Sequence, residues 1–179
     1  LLSSSFEPHK AIHRVKNGKA NVQMETCVEP GSGNEIRLIT IDNSTQKDMD
    51  VEVCIAFEPV VTKKLDYDSH PAYSNLFLHT SIEDGVLMCE RRPRYIQGQR
   101  QRVFMGLYGD GEMEYETDRQ LFVGRNGSDA KPTSFDDGFA GSLGAGINPV
   151  MAQKRTVQVQ AGRRTSVCAV IGIAPDAAQ

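Results

Sequence analysis

Asp66, Asp68 and His70 bring two carboxylates and an imidazole into a run of five residues. Carboxylate and imidazole groups are common ligands of divalent cations, and the alternation of a strand would place all three side chains on one side. Aspartate and serine are equally typical of turns, however, and Pro71 fixes the backbone directly after His70. Because no further dependable ligand is present, the sequence favours a capped turn here, and we expect neither a metal nor a cofactor.

A second charged run holds three arginines around one proline, in the order Arg91, Arg92, Pro93, Arg94. Guanidinium groups bind phosphate or carboxylate through two parallel hydrogen bonds. They also pair with acidic side chains, here either Glu90 or acids of a neighbouring domain. The net charge of the chain is −3, so pairing is the interpretation that we favour.

Several acids in and near the run Tyr115–Arg125 raise the question of sugar chemistry: Glu114, Glu116, Asp118, Asp136 and Asp137. Paired carboxylates cleave glycosides when they are held a few ångströms apart across a bound sugar. The sequence does not fix that separation, and loop acids are usually solvated or paired with nearby arginines. We therefore expect surface acids, and a glycoside-active site remains an alternative.

Other classes of chemistry find less support. The run GSLGAG (141–146) has the wrong order for a dinucleotide loop, and the chain lacks the GxSxG elbow of serine hydrolases. Its net charge argues against nucleic-acid and anionic-membrane partners, and no apolar run reaches the roughly 20 residues that span a bilayer. Its cysteines are far apart, which favours a reducing, cytoplasmic location, with Cys54 and Cys168 expected to be buried.

The elements that must position these residues are strands. Glu35–Asn43 alternates with Ile39 and Ile41 on one face, and Asn17-Gly18 predicts a tight hairpin turn. Turn residues recur every 8 to 14 positions, and no window shows a helical stripe of useful length. This cadence predicts an all-β fold, an antiparallel β-sandwich, with residues 1–179 as a single domain. Further strands are predicted at 11–15, 20–28, 49–61, 76–83, 85–90, 101–108, 119–124, 155–160 and 165–174.

Two segments break the cadence of strands. Tyr108–Tyr115 and Gly124–Pro149 are long, polar and rich in glycine. A loop of the second length inside a compact domain is usually functional or part of an interface. The chain also begins without methionine and ends in PDAAQ without a capping element. We therefore expect a fragment of a much larger multidomain chain, with 124–149 as its long loop.

The order of the motifs resembles one family. Four motifs occur in a fixed order: HPAYSNLF (70–77), RRPR (91–94), YETDRQLFVGR (115–125) and VQVQAGRRTSV (157–167). A glycine-rich stretch that ends in Asn148-Pro149 lies between the third motif and the fourth. They resemble the β-sandwich region of the cyclic β-1,2-glucan synthases, which is similar to the N-terminal domain of the cellobiose and chitobiose phosphorylases. The resemblance extends from Ala11 to Ala174. The sequence departs from the family's pattern at two places in the long loop, Asn126-Gly127 and Ile147-Asn148-Pro149.

The resemblance implies a supersandwich of the galactose-mutarotase type, here a partial one, that precedes an (α/α)₆ barrel. In the family that barrel holds the general acid, so no catalytic residue is expected here. The resemblance implies that the motifs pack against the barrel of the same parent enzyme or contact a β-glucan oligosaccharide, and it allows a homodimer. An autonomous glucan-binding module is the first alternative, and a self-contained enzyme that uses the loop acids is the second. The interface or carbohydrate candidates are Asp66, Tyr67, Asp68, His70, Tyr73, Asn75, Phe77, Arg91, Arg92, Arg94, Tyr115, Asp118, Arg119 and Arg125.

Overall fold

The computed structural model describes residues 2–92, 102–146 and 148–174. They fall into two compact units. The first unit comprises Leu1–Cys54, Gly106–Met113 and Lys154–Gly172, and the second comprises Ile55–Met105, Glu114–Gln153 and Ile173–Gln179. All three motifs that carry the candidate residues belong to the second unit.

Strands dominate the described residues and their pairing is mostly antiparallel, as in the hairpin of residues 78–83 with 86–91, which confirms the predicted all-β antiparallel class. One sheet has the strand order β1-β2-β3-β4-β11-β8-β7-β6, and a smaller sheet has the order β5-β10-β9. The strands are β1 (Leu2–Glu7), β2 (Lys10–Lys16), β3 (Ala20–Val28), β4 (Glu35–Asn43), β5 (Met49–Phe57), β6 (Leu78–Glu83), β7 (Val86–Arg91), β8 (Arg102–Tyr108), β9 (Glu112–Asp118), β10 (Pro149–Val159) and β11 (Arg164–Ala174).

The alternation of β4 determines which residues enter the core of the first unit. Ile39 and Ile41 are buried, whereas Leu38 on the other face is exposed. Ile39 lies opposite Val167 of β11, which is also buried. The predicted face of β4 is therefore correct, and it follows from the two-residue period of a strand.

Asn43 ends β4 and is fully buried. Its amide donates to the carbonyl oxygens of Lys47 at 2.8 Å and Val159 at 2.9 Å, while its Oδ1 accepts from the Thr45 N–H at 2.9 Å. A buried amide with this many partners holds the turn after β4 in a single geometry. The Asn43-Ser44-Thr45 run is thus a structural turn.

Several predicted elements differ from the structure. Residues 119–123 form a short helix rather than a strand, and Tyr108–Tyr115 comprises the end of β8, a short turn and the start of β9 rather than a long loop. β8 and β9 belong to different sheets, and Arg155 holds the turn between them, since it donates to the carbonyl oxygens of Leu107 and Gly111, both at 2.7 Å. The structure also adds β1 and four short helices, α1 (Lys64–Ser69), α2 (Pro71–Asn75), α3 (Arg119–Val123) and α4 (Ser134–Asp137).

In the second unit, β6 and β7 form a hairpin whose turn is Asp84-Gly85. Both turn residues have positive φ, 49° and 79°, as the tightest hairpin turns require. Leu78, Leu87 and Cys89 are buried on these strands.

The cysteines are all free. Cys54 and Cys168 are only half-buried, so their predicted burial is wrong. None of the helices in the described part of the chain has the length and apolarity to cross a bilayer.

Candidate functional site

The motif DYDSHPAYSN folds into two consecutive short helices. Pro71 occupies the first turn of α2, where its missing N–H leaves no hydrogen bond unmade. On α1, Lys64 pairs with Asp68 one turn later at 2.6 Å. Because a helix turns about 100° per residue, Asp66 and Asp68 project in opposite directions. The expectation that strand alternation aligns Asp66, Asp68 and His70 is therefore wrong, and no group of three metal-ligating side chains occurs within 2–92, 102–146 and 148–174.

His70 joins the two helices and lies at a hollow of about 300 Å³, which we call the His70 hollow. The hollow combines residues of the first motif with one arginine of the second. Asp68 is not part of its lining. The lining residues are Asp66, Ser69, His70, Tyr73, Ser74 and Arg91.

Arg91 connects the second motif to the first. Its guanidinium donates to the carbonyl oxygen of Ser74 at 3.1 Å and lies 5.1 Å from the ring centroid of Phe77. Phe77 also makes an edge-to-face contact with Tyr73, with ring centroids 5.2 Å apart. A guanidinium over a ring and an edge-to-face ring pair are both favourable geometries. Three of the predicted residues thus form one cluster.

Glu90 and Arg92 contact residues outside the second motif. Glu90 pairs with Arg102 at 3.0 Å, a partner that the sequence did not suggest. Arg92 is exposed, and its N–H donates to the Phe77 carbonyl oxygen at 2.8 Å. Arg94 lies outside the described residues.

Three large apolar side chains on and directly after α1 and α2 are exposed. Leu65 is 80 % exposed, Tyr73 47 % and Leu76 55 %. Tyr67 and Asn75 are half-buried on the same helices. Large apolar side chains grouped on a surface mark interaction sites more often than scattered ones do.

Arg119 of the third motif forms a charged node. Its guanidinium donates to a carboxylate oxygen of Glu58 and, at 2.7 Å, to Asp129. The hydrogen bond to Glu58 raises the pKa of Arg119, with the negative charges of Glu58 and Asp129 acting in the same direction. The node borders a hollow of about 180 Å³ that is also lined by Phe57, Phe122 and Val150. Its cation is already paired, which makes it a structural clamp.

Asp118 caps the helix that Arg119 begins. Its Oδ1 accepts from the N–H groups of Gln120 at 2.7 Å and Leu121 at 3.4 Å. Gly124 ends the same helix with a φ of 73°, and a side chain there would meet Thr133. Arg125 follows and is exposed. Asp118 thus serves the fold as a helix cap.

Glu116 is buried and holds the long loop. One carboxylate oxygen accepts from the N–H groups of Thr117 and Asp118, both at 2.8 Å, and the other accepts from Ala140 at 3.1 Å. Glu114 accepts from the Phe139 N–H at 3.4 Å. The expectation that these loop acids are solvated or paired with arginines is therefore wrong for Glu116. Asp136 and Asp137 of α4 are exposed, as expected.

Further contacts hold the loop where it passes Tyr115. The carbonyl oxygen of Tyr115, which is half-buried, accepts from the Gly141 N–H at 3.1 Å. The Thr80 and Thr117 hydroxyls lie 2.8 Å apart, and Thr80 forms a β-bridge with Gly144. Sequence reasoning missed Thr80, Glu58 and Asp129, because nothing in the local sequence signals a long-range partner.

The model of the glycosyl hydrolase 94 supersandwich domain matches residues 2–179. Cyclic beta-(1,2)-glucan synthase NdvB of Rhizobium meliloti (strain 1021) is 29 % identical over 179 residues, which cover 96 % of this chain and 6 % of that protein.

Two solved structures are also similar. One, described as a kojibiose phosphorylase from the human microbiome, gives a TM-score of 0.50 at 6 % identity, covering 93 % of this chain and 18 % of that chain. The other, a galactose mutarotase related enzyme from Lactobacillus acidophilus, gives a TM-score of 0.41 at 7 % identity, covering 95 % and 70 % of the two chains. The chain therefore spans a small part of the synthase and of the phosphorylase.

Proposed function

Because the chain belongs to the glycosyl hydrolase 94 supersandwich-domain family, we propose that it is a non-catalytic accessory domain that docks against the catalytic domain of a larger parent enzyme. The predicted family and the predicted supersandwich fold are both confirmed by that match. The synthase relative is a glucan-forming enzyme by name, and the chain corresponds to only 6 % of it. The same proposal includes a parent that acts on β-glucan, with this domain in the cytoplasm and other segments of the parent attached to the bacterial inner membrane.

The observation that supports this proposal is a set of three exposed apolar side chains on and beside α1 and α2: Leu65, Tyr73 and Leu76. Tyr73 also lines the His70 hollow, in which Arg91 and Asp66 supply charge of both signs. Apolar side chains together with polar groups have the composition of a domain interface.

The acids of the third motif support a non-catalytic role. Both oxygens of the Glu116 carboxylate accept backbone N–H groups, and Asp118 is used as a helix cap. Glycoside cleavage needs two carboxyl groups that face a bound sugar. Turnover of β-glucan by the purified 179-residue chain would contradict this role and favour the self-contained enzyme.

Hydrogen exchange can test docking directly. The 179-residue chain and the full product of its gene would be compared, residue by residue, in the same buffer. If the catalytic domain covers α1 and α2, amides of residues 64–77 exchange at least about tenfold more slowly in the longer protein, equivalent to about 1.4 kcal/mol of local stability. Equal exchange of this segment in the two proteins would overturn the proposal.

A pair of charge substitutions sharpens the test. Leu76→Asp should lower the melting temperature of the full-length protein more than that of the 179-residue chain, because a buried unpaired carboxylate opposes docking. Val28→Asp is the matched control, since Val28 is 58 % exposed and belongs to the first unit. It should affect both proteins equally.

A further inference from the structure

A hollow of about 390 Å³ lies on the sheet of the first unit, and its lining includes Arg164 of the run VQVQAGRRTSV (157–167). It is lined by residues of β2, β3, β4 and β11. The residues that matter for its chemistry are Arg14, Gln23, Glu25, Thr40, Asp42 and Arg164. We call their common surface the polar sheet face.

The register explains how these residues meet. Arg14 lies opposite Gln23, and Gln23 lies opposite Thr40. One row further along, Asp42 lies opposite Arg164. Directly opposed residues of antiparallel strands share a face, and neighbouring strands lie about 4.8 Å apart, so four strands provide a surface about 14 Å wide.

Hydrogen bonds hold the planar groups of this face in place. Arg14 donates to the Gln23 Oε1 at 2.8 Å, and Gln23 donates in turn to Glu25 at 2.8 Å. Arg164 donates to Asp42 at 3.2 Å. A guanidinium has five donors and a carboxylate about four acceptor positions, so these bonds orient the groups and leave capacity for further partners. Such preorganisation lowers the entropic cost of binding.

The charges and side-chain types that line the hollow limit the class of ligand that it can bind. The lining of the hollow carries three cations, Arg14, Lys16 and Arg164, and two anions, Glu25 and Asp42, and this near balance favours a neutral ligand over a phosphate or a polyanion. None of the residues lining the hollow is aromatic, so ring stacking does not contribute. Planar amide, carboxylate and guanidinium groups instead form paired hydrogen bonds, which suit two hydroxyl groups on adjacent carbon atoms.

We propose that the polar sheet face binds a neutral glucan chain by its adjacent hydroxyl pairs. A β-1,2-linked glucose residue keeps free hydroxyls on C3 and C4, an adjacent pair at every internal residue. A β-1,3-linked residue keeps C2, C4 and C6 hydroxyls, no two of which are on adjacent carbons. The choice of glucan rests on the proposed function, whereas the site lies on strands that docking does not use.

The test is an NMR titration of the ¹⁵N-labelled 179-residue chain with linear β-1,2-glucan. Saturable shifts are expected at the amides of Arg14, Gln23, Thr40 and Arg164. Arg164→Ala should weaken binding about tenfold or more, as the loss of a charged hydrogen-bonding group does. Arg163→Ala is the matched control, because Arg163 is exposed, adjacent and not part of the hollow, and it should leave the affinity unchanged.

Long linear β-1,3-glucan provides the second arm, and it should bind at least about tenfold more weakly, because its internal residues lack adjacent hydroxyl pairs. Equal affinity for the two glucans would overturn recognition of hydroxyl pairs. Absence of saturable shifts on the polar sheet face, with a well-dispersed spectrum, would overturn the site itself. Shifts confined to residues 64–77 would also overturn it and would favour the glucan-binding alternative for the motif surface. Exchange protection of 64–77 in the full-length protein tests docking alone, so the two failures are distinguishable.

Discussion

At the scale of residues, the polar side chains of the second unit mostly hold the backbone. Glu116 satisfies three N–H groups, Asp118 caps a helix, and Arg119 clamps Glu58 and Asp129. An unpaired buried N–H costs about 1–3 kcal/mol, so these acids stabilise a segment that has few apolar residues of its own. The charged motifs of this chain are therefore partly structural.

Two cysteines provide a residue-scale prediction. Burial raises the pKa of the Cys54 and Cys89 thiols from 9.0 to about 12. The thiolate is the reactive form, so at pH 8 its fraction falls about a thousandfold. In the folded chain both residues should resist iodoacetamide, and in urea both should react quickly. Peptide mass spectrometry would show this, and rapid alkylation of Cys89 without urea would contradict the burial described here.

At the scale of elements, the backbone conformation of a glycine determines where α3 and α4 end. Gly124 after α3 and Gly138 after α4 have nearly the same backbone, with φ of 73° and 88° and ψ of 167° and 163°. That region is almost exclusive to glycine. Their surroundings differ, because a Cβ at Gly124 would lie 1.9 Å from the Thr133 hydroxyl, whereas none lies within 4 Å at Gly138.

This pair separates backbone strain from crowding. Gly138→Ala should lower the free energy of unfolding by about 1–3 kcal/mol through strain alone. Gly124→Ala should cost on the order of 1–3 kcal/mol more, because its side chain also displaces Thr133. Urea titration of both variants measures the difference. Equal losses would show that Thr133 moves aside without cost.

The elements also show what the sequence could predict. The strands were recognisable because branched residues alternate over seven to eleven positions, as in β4 and β11. Helices α1 to α4 were not, since four to six residues are too few to show a period of 3.6. The cap of α3 was readable in principle, because Asp118 directly precedes it.

The candidate site was predictable in part for a similar reason. The sequence identified Tyr73, Phe77 and Arg91 as candidates, and the structure places them in one cluster. Their mutual contacts, and the partners Ser74 and Arg102, depend on the pairing of β6 with β7 and on chain distant in sequence. Local pattern carries no information on such pairings.

At the scale of the whole molecule, linked protonation predicts how stability depends on pH. The hydrogen bond from Lys10 lowers the pKa of Glu25, and the Ser32 hydroxyl, followed by backbone N–H groups, lowers that of Glu29. A lowered carboxyl pKa stabilises the folded chain above the unfolded pKa, and this is lost as pH falls through the folded pKa. The raised pKa of Lys10 acts in the opposite sense, since its stabilisation is lost as pH rises through the folded value.

Acid unfolding tests the predicted direction of the change in stability with pH. Stability should decline between about pH 5 and pH 2, and Glu29→Gln should make the decline shallower. Glu112→Gln, at an exposed glutamate that begins β9, controls for the change in net charge. Circular dichroism at fixed urea would follow both variants. If stability declines equally steeply in the Glu29→Gln and Glu112→Gln variants, Glu29 does not contribute to the acid dependence of stability.

The bridge between Thr80 and Gly144 has a consequence for behaviour in solution. β6 is the outermost strand of its sheet, and such a strand offers unpaired N–H and C=O groups to any other molecule that can align with it. Here Thr80 exchanges both of its backbone hydrogen bonds with Gly144, at 2.9 and 3.0 Å, so the glycine-rich loop occupies that position. The loop therefore blocks edge-to-edge pairing at Thr80. We expect the buried Glu116, which holds the loop, to contribute to solubility as well as to stability.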